Sequence, residues 1–142
     1  MKNKERLSVL LTLIFLLVLM SSLVQAEVVV VANNSVNTDN LGLKDIKKIF
    51  LGKKMYWDDN QKITLFILKD SPAHKEFVRT YLGKSENQYT NYWKQLLFTG
   101  KGMMPQRVSQ EELLEKIKET EGAIGYMAAG ITTEGIRIIK IK

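Results

Sequence analysis

Two short segments of this chain carry residue types suited to holding an anion. The first is the turn Lys69-Asp70-Ser71-Pro72-Ala73-His74-Lys75, which joins a β-branched apolar run to a helical pattern. Ser71 fits an N-cap and Pro72 the first helical position, so the unpaired N–H groups of a helix start open here. Such a start bears partial positive charge and receives oxyanions. His74 and Lys75 put cations in the first turn, where they oppose the helix dipole. A bound anion offsets that cost, and two solvated surface side chains explain the pattern equally well. The second segment, Thr99-Gly100-Lys101-Gly102, sets two glycines around a lysine. That spacing permits a concave run of N–H groups, although relief of positive φ after a helix is the favoured reading. Arg107 follows closely and can reach an anion. The candidate anion-binding set is therefore Asp70, Ser71, His74, Lys75, Lys101 and Arg107.

Other chemistries find little support. Asp58 and Asp59 are adjacent in a turn and do not form a poised carboxylate pair. Ser71 and His74 lie on one helical turn without an orienting acid in evident geometry, and there is no nucleophile elbow. No catalytic residue is assigned. A single histidine and no cysteine exclude a multi-histidine or thiolate metal site, a disulfide framework and a cysteine lipid anchor. No metal or cofactor is expected.

The elements that position these residues are locally well marked. Residues 27–32 form a β-branched run, read as a strand buried on both faces of a parallel sheet. Residues 33–40 read as a polar loop. A helix follows with Gly42 as N-cap, Leu41 and Ile46 as a hydrophobic staple, and Gly52 as its stop. Leu43, Ile46, Ile49 and Phe50 are its expected buried stripe. After the turn at residues 57–60, residues 62–68 make the next strand. Gly83 ends the helix that Ser71 opens, with Phe77, Val78, Tyr81 and Leu82 on its core face. Ser85 and Gln88 form a capping box for a helix whose apolar stripe is Tyr89, Tyr92, Trp93, Leu96 and Leu97. Ser109 and Glu112 form another, with Val108 and Leu113 as its staple. Residues 123–127 and 136–141 are the last strands, and the charges of Arg137, Lys140 and Lys142 suit an edge. Strands alternating with capped helices predict an α/β domain with a mostly parallel sheet flanked by helices.

Residues 1–26 read as a secretory signal peptide. Lys2, Lys4 and Arg6 precede an apolar run over residues 7–19, and Val24-Gln25-Ala26 offers a cleavage site. The run is short for a membrane span. Removing this segment takes away three bases and one acid, leaving 116 residues, residues 27–142, with a net charge of +4. That is enough for one domain. The mild, dispersed charge permits an anionic partner and gives no sign of nucleic acid.

Three segments in fixed order resemble the second lobe of periplasmic phosphate-binding proteins of ABC transporters. They are Ile49-Phe50-Leu51-Gly52-Lys53, Phe98-Thr99-Gly100-Lys101-Gly102 and Gly122-Ala123-Ile124-Gly125-Tyr126, with Trp57 and Trp93 as further landmarks. The resemblance covers residues 28–126. It implies a single lobe of a type 2 periplasmic-binding-protein-like fold and an exported, periplasmic solute-binding role. In that family the anion loop resembles Arg-x-Asp-x-Ser-Gly-Thr. Here Asp70 and Ser71 correspond, Lys69 stands near the missing arginine, and Pro72-Ala73-His74 replaces the rest. The guanidinium fork and one backbone donor are thereby lost. The resemblance accordingly implies weak binding of phosphate or a similar oxyanion, with a homodimer mate or a membrane or periplasmic partner completing the cleft. The alternative is a periplasmic protein-interaction module that kept the fold and lost its ligand.

Overall fold

The computed structural model describes residues 1–19, 26–102 and 104–142. One six-stranded sheet runs in the order β2-β6-β1-β5-β3-β4. Its strands are β1 (Val28–Ala32), β2 (Asn40–Leu41), β3 (Thr64–Leu68), β4 (Gln106–Val108), β5 (Ala123–Ala128) and β6 (Arg137–Ile141). The helices are α1 (Lys2–Leu19), α2 (Leu43–Phe50), α3 (Pro72–Phe77), α4 (Glu86–Phe98) and α5 (Gln110–Glu119). α3 continues into a π-helical turn, Val78–Leu82, that stops at Gly83 in the left-handed region. The architecture is an α/β lobe with helices flanking a sheet.

The sheet is mixed. β2 with β6, β3 with β5 and β3 with β4 pair in parallel. β1 is antiparallel to both β5 and β6, so its expected place among parallel neighbours is corrected. The apolar run did report burial, since Val30, Val31 and Ala32 are sealed from solvent. Burial on two faces demands apolar residues whatever the strand direction, so composition could not separate the two arrangements. β6 is likewise not an edge. The short β2 lies outside it, and Arg137 pairs with Asp39 there. Its charges answer this neighbour as well as solvent.

Helix boundaries follow the capping chemistry. Ser71 Oγ accepts the His74 N–H at 3.1 Å, and both Ser85–Gln88 and Ser109–Glu112 close reciprocal capping boxes. The stripe on α4 ties that helix to the end of α2. The Tyr89 and Tyr92 hydroxyls donate to the Phe50 and Leu51 carbonyls at 2.8 and 2.6 Å, satisfying acceptors left free at a helix C-terminus. Trp93 covers Gly52, where a Cβ would lie 2.7 Å from the indole ring. The Trp57 indole N–H donates to the Gly122 carbonyl at 3.0 Å. Gly122 has φ +71°, and a Cβ there would lie 2.2 Å from the Lys62 carbonyl oxygen. The sequence landmarks are thus contacts with one another. At the centre, Phe77 and Tyr126 stack with centroids 3.8 Å apart, and Phe50 meets Phe77 edge-on at 4.7 Å.

Two residues expected in the core are not there. Leu43 is 39% exposed and Leu97 is 50% exposed. Each stands in the terminal turn of its helix, where periodicity continues and covering structure does not. α1 exposes Leu7, Leu10, Leu11, Leu13 and Ile14. Among the described residues no helix is long and apolar enough to cross a membrane. Val24 and Gln25 of the expected cleavage site lie outside the described residues.

Candidate anion site at the start of α3

β3 ends at Leu68 and the chain turns through Lys69, Asp70 and Ser71 into α3. The carboxyl ends of β3, β4 and β5 face the starts of α3 and α5 across a depression of about 380 Å³. Leu68, Asp70, Ser71, Pro72, Ser109 and Ala128 are among its lining residues. The two helix starts differ in charge. The first turn of α5 carries Glu111 and Glu112, and the Glu112 carboxylate already bonds the Ser109 N–H at 2.8 Å. That bond, then Lys69, holds the Glu112 pKa below its ordinary value. The first turn of α3 contains no acid. Its partial positive charge is therefore not neutralised from within that turn.

The fold brings three of the expected residues together, Asp70, Ser71 and Arg107. Arg107, half-buried on β4, reaches Asp70 Oδ1 at 3.2 Å and Thr90 Oγ1 at 2.8 Å. Its guanidinium is engaged by these two partners and, unlike Asp70 and Ser71, does not line the depression. Asp70 is well exposed. Ser71 uses its oxygen as the cap acceptor, so toward a ligand its hydroxyl has a proton left to donate. Pro72 has no N–H, and the His74 N–H is taken by the cap. Ala73 is the first-turn amide outside this cap.

His74 is a correction in position. Its place in the first turn predicts a side chain facing an anion or solvent, yet that side chain is fully buried and Nδ1 lies 2.5 Å from Tyr126 Oη. The helical register required by the Ser71 cap turns position 74 inward, against Tyr89 and Tyr126. Burial, and secondarily the Arg107 charge, lower the His74 pKa from 6.5, with Glu86 and Asp70 opposing the shift. Burial raises the Tyr126 pKa far above its ordinary range. Lys75 is exposed on α3 and outside the lining of the depression.

Lys101 belongs elsewhere. The Gly100 and Lys101 amides bond the Leu97 and Leu96 carbonyls, so these donors finish α4 and do not form an anion nest. Gly100 has φ +68°, as expected of a glycine that ends a helix. Lys101 rims a separate apolar slot of about 200 Å³ that also meets Ile49, Trp93, Leu96 and Met104. Sequence reasoning missed Glu86, Thr90 and the bond between Tyr126 and His74. Glu86 has a local signal only as a helix-starting acid, which says nothing about its tertiary neighbours.

A family model described as a PBP superfamily domain matches residues 19–140. Solved structures share the fold. An ABC-type phosphate transport receptor from Vibrio cholerae is 14% identical, with a TM-score of 0.62 over 80% of this chain and 45% of that one. A putative phosphate ABC transporter substrate-binding protein with bound phosphate from Clostridium perfringens is 15% identical, with a TM-score of 0.62 over 80% and 44%. A possible phosphate binding protein from Planctomyces limnophilus is 18% identical, with a TM-score of 0.60 over 81% and 41%. This chain spans less than half the length of each. No curated protein matches it in sequence.

Proposed function

Because the chain belongs to the PBP superfamily, we propose that it is an exported, periplasmic solute-binding-type protein that holds phosphate or a related oxyanion weakly at the start of α3. Residues 1–26 direct its export. The reading rests chiefly on one observation, the approach of Arg107 to Asp70 beside an acid-free helix start. Arg107 restores by tertiary contact the guanidinium missing from the local turn. The Arg107 and Ser71 side chains and the Ala73 amide donate to the anion, and Lys75 and Lys101 contribute only field. Asp70 accepts from a protonated phosphate oxygen, which favours phosphate over fully ionised sulfate. His74 acts from beneath as packing. One lobe leaves the anion wet on its far side, so affinity is about millimolar, worth roughly 4 kcal/mol. A second copy or another periplasmic partner closes that side. No catalytic step is part of this role.

Calorimetry with phosphate, sulfate and a neutral solute, in a chelating buffer, tests the reading. Phosphate at ten millimolar should give saturable heat, sulfate less and the neutral solute none. Ser71→Asp, which keeps a capping oxygen and adds repulsion, should abolish the phosphate signal. Absence of heat or of any chemical-shift change in the wild type would defeat the anion reading.

One observation favours the alternative of an interaction module. Met55, Leu97, Phe98 and Met104 are exposed, and Phe98 is 89% exposed. Exposed apolar groups of this size mark interaction surfaces when they are contiguous. If no anion binds, this role takes precedence.

A further inference from the structure

His74 is the only histidine of the chain, and one of its two ring nitrogens is unused. Nδ1 meets Tyr126 Oη, whereas Nε2 is sealed from solvent without a hydrogen-bond partner. Buried polar atoms are rarely left unpaired, so such an atom calls for an explanation. Asp70, His74 and Glu86 each bring a ligand atom to within 4.8 Å of the other two. We propose that these three side chains form a site for a divalent transition-metal ion of the zinc type, bound by His74 Nε2 and one oxygen from each carboxylate.

The donor set selects the ion class. An imidazole with two carboxylates suits zinc, cobalt or manganese, whereas magnesium and calcium prefer oxygen alone. Tyr126 supplies the outer contact that a metal-bound histidine needs. When Nδ1–H donates to Tyr126 Oη, the Nε2 lone pair is free for the ion. Asp70 precedes the Ser71 cap and Glu86 opens α4, so two chain reversals fix the carboxylates around a core ring. The three ligand atoms lie within 4.8 Å as they stand, and the exposed Asp70 side chain is the member with freedom to turn toward the ion. Three protein ligands leave a fourth position for water.

Arg107 opposes the ion. It bonds Asp70 Oδ1 and Thr90, leaving Asp70 Oδ2 available, but its charge and the partial charges of two helix starts weaken the hold on a cation. This opposition separates the metal from the anion. Arg107→Gln should tighten zinc and weaken phosphate.

The test is calorimetric titration of untagged protein with zinc in phosphate-free buffer, supported by cobalt absorption. One ion per chain is expected. Glu86→Gln and Asp70→Asn should each weaken zinc at least about tenfold, and Glu86→Gln should leave phosphate binding in place. Since replacing His74 removes a core ring, its role is read instead from ¹⁵N shifts, with Nε2 responding to zinc as a ligand. The proposal is overturned by a lack of saturable one-to-one heat, by unchanged affinity in Glu86→Gln, or by an Nε2 resonance indifferent to zinc.

Discussion

Mild acid should destabilise this protein through one side chain. His74 is the sole histidine, its ring is buried, and its folded pKa is lowered from 6.5 by burial and then by Arg107. The unfolded chain therefore takes up the proton first. Stability from the neutral ring is fully present above pH 6.5 and is lost as pH falls toward the folded pKa. One proton sets the ceiling, a slope of about 1.4 kcal/mol per pH unit. Carboxylates titrate mostly below about pH 5, so the interval from pH 7.5 to 5.5 isolates the effect. Urea melts followed by tryptophan fluorescence in a chelating buffer provide the assay. With a urea slope of about 1–3 kcal/mol per molar, a loss of about 1 kcal/mol moves the midpoint by roughly 0.3–1 M. His74→Gln should be less stable at pH 7.5 and flatter across the interval. A flat wild-type profile, or an equal slope in the variant, refutes the buried neutral ring.

Buried and exposed positions should separate cleanly in paired truncations on α4. Trp93→Ala is expected to cost about 3–5 kcal/mol by opening a cavity over Gly52, whereas Leu97→Ala, half exposed, should cost less than about 1 kcal/mol. Equal shifts in thermal melting would show the stripe to be uniformly buried. Gly122→Ala combines positive φ with a Cβ placed on the Lys62 carbonyl, so a loss of at least about 2 kcal/mol is expected from urea unfolding. A near-neutral result would place that turn in a different conformation.

The helices were legible because their signals are local. Ser71, Ser85 and Ser109 each satisfy an amide within one turn, and Gly52 and Gly83 supply the left-handed stops. The five landmarks were also legible as a set, though their contacts were not. Only the fold shows Trp57 meeting Gly122 and Trp93 covering Gly52. Leu43 and Leu97 mark where this reasoning fails, because an apolar repeat records a face without saying how far its cover extends.

The sequence by itself determined the α/β alternation, the caps, the family resemblance and the presence of Asp70 and Ser71 at a helix start. Those features depend on residues a few positions apart, where steric preference and short hydrogen bonds act alone. Strand direction, strand order and the surroundings of His74 were decided by tertiary structure. Arg107 joins Asp70 from 37 residues away, and Tyr126 joins His74 from 52. Such pairs have no spacing rule. They form where the sheet assembles: His74 and Tyr126 meet in the core that it buries, and Asp70 and Arg107 meet at its exposed margin, where β3 and β4 pair.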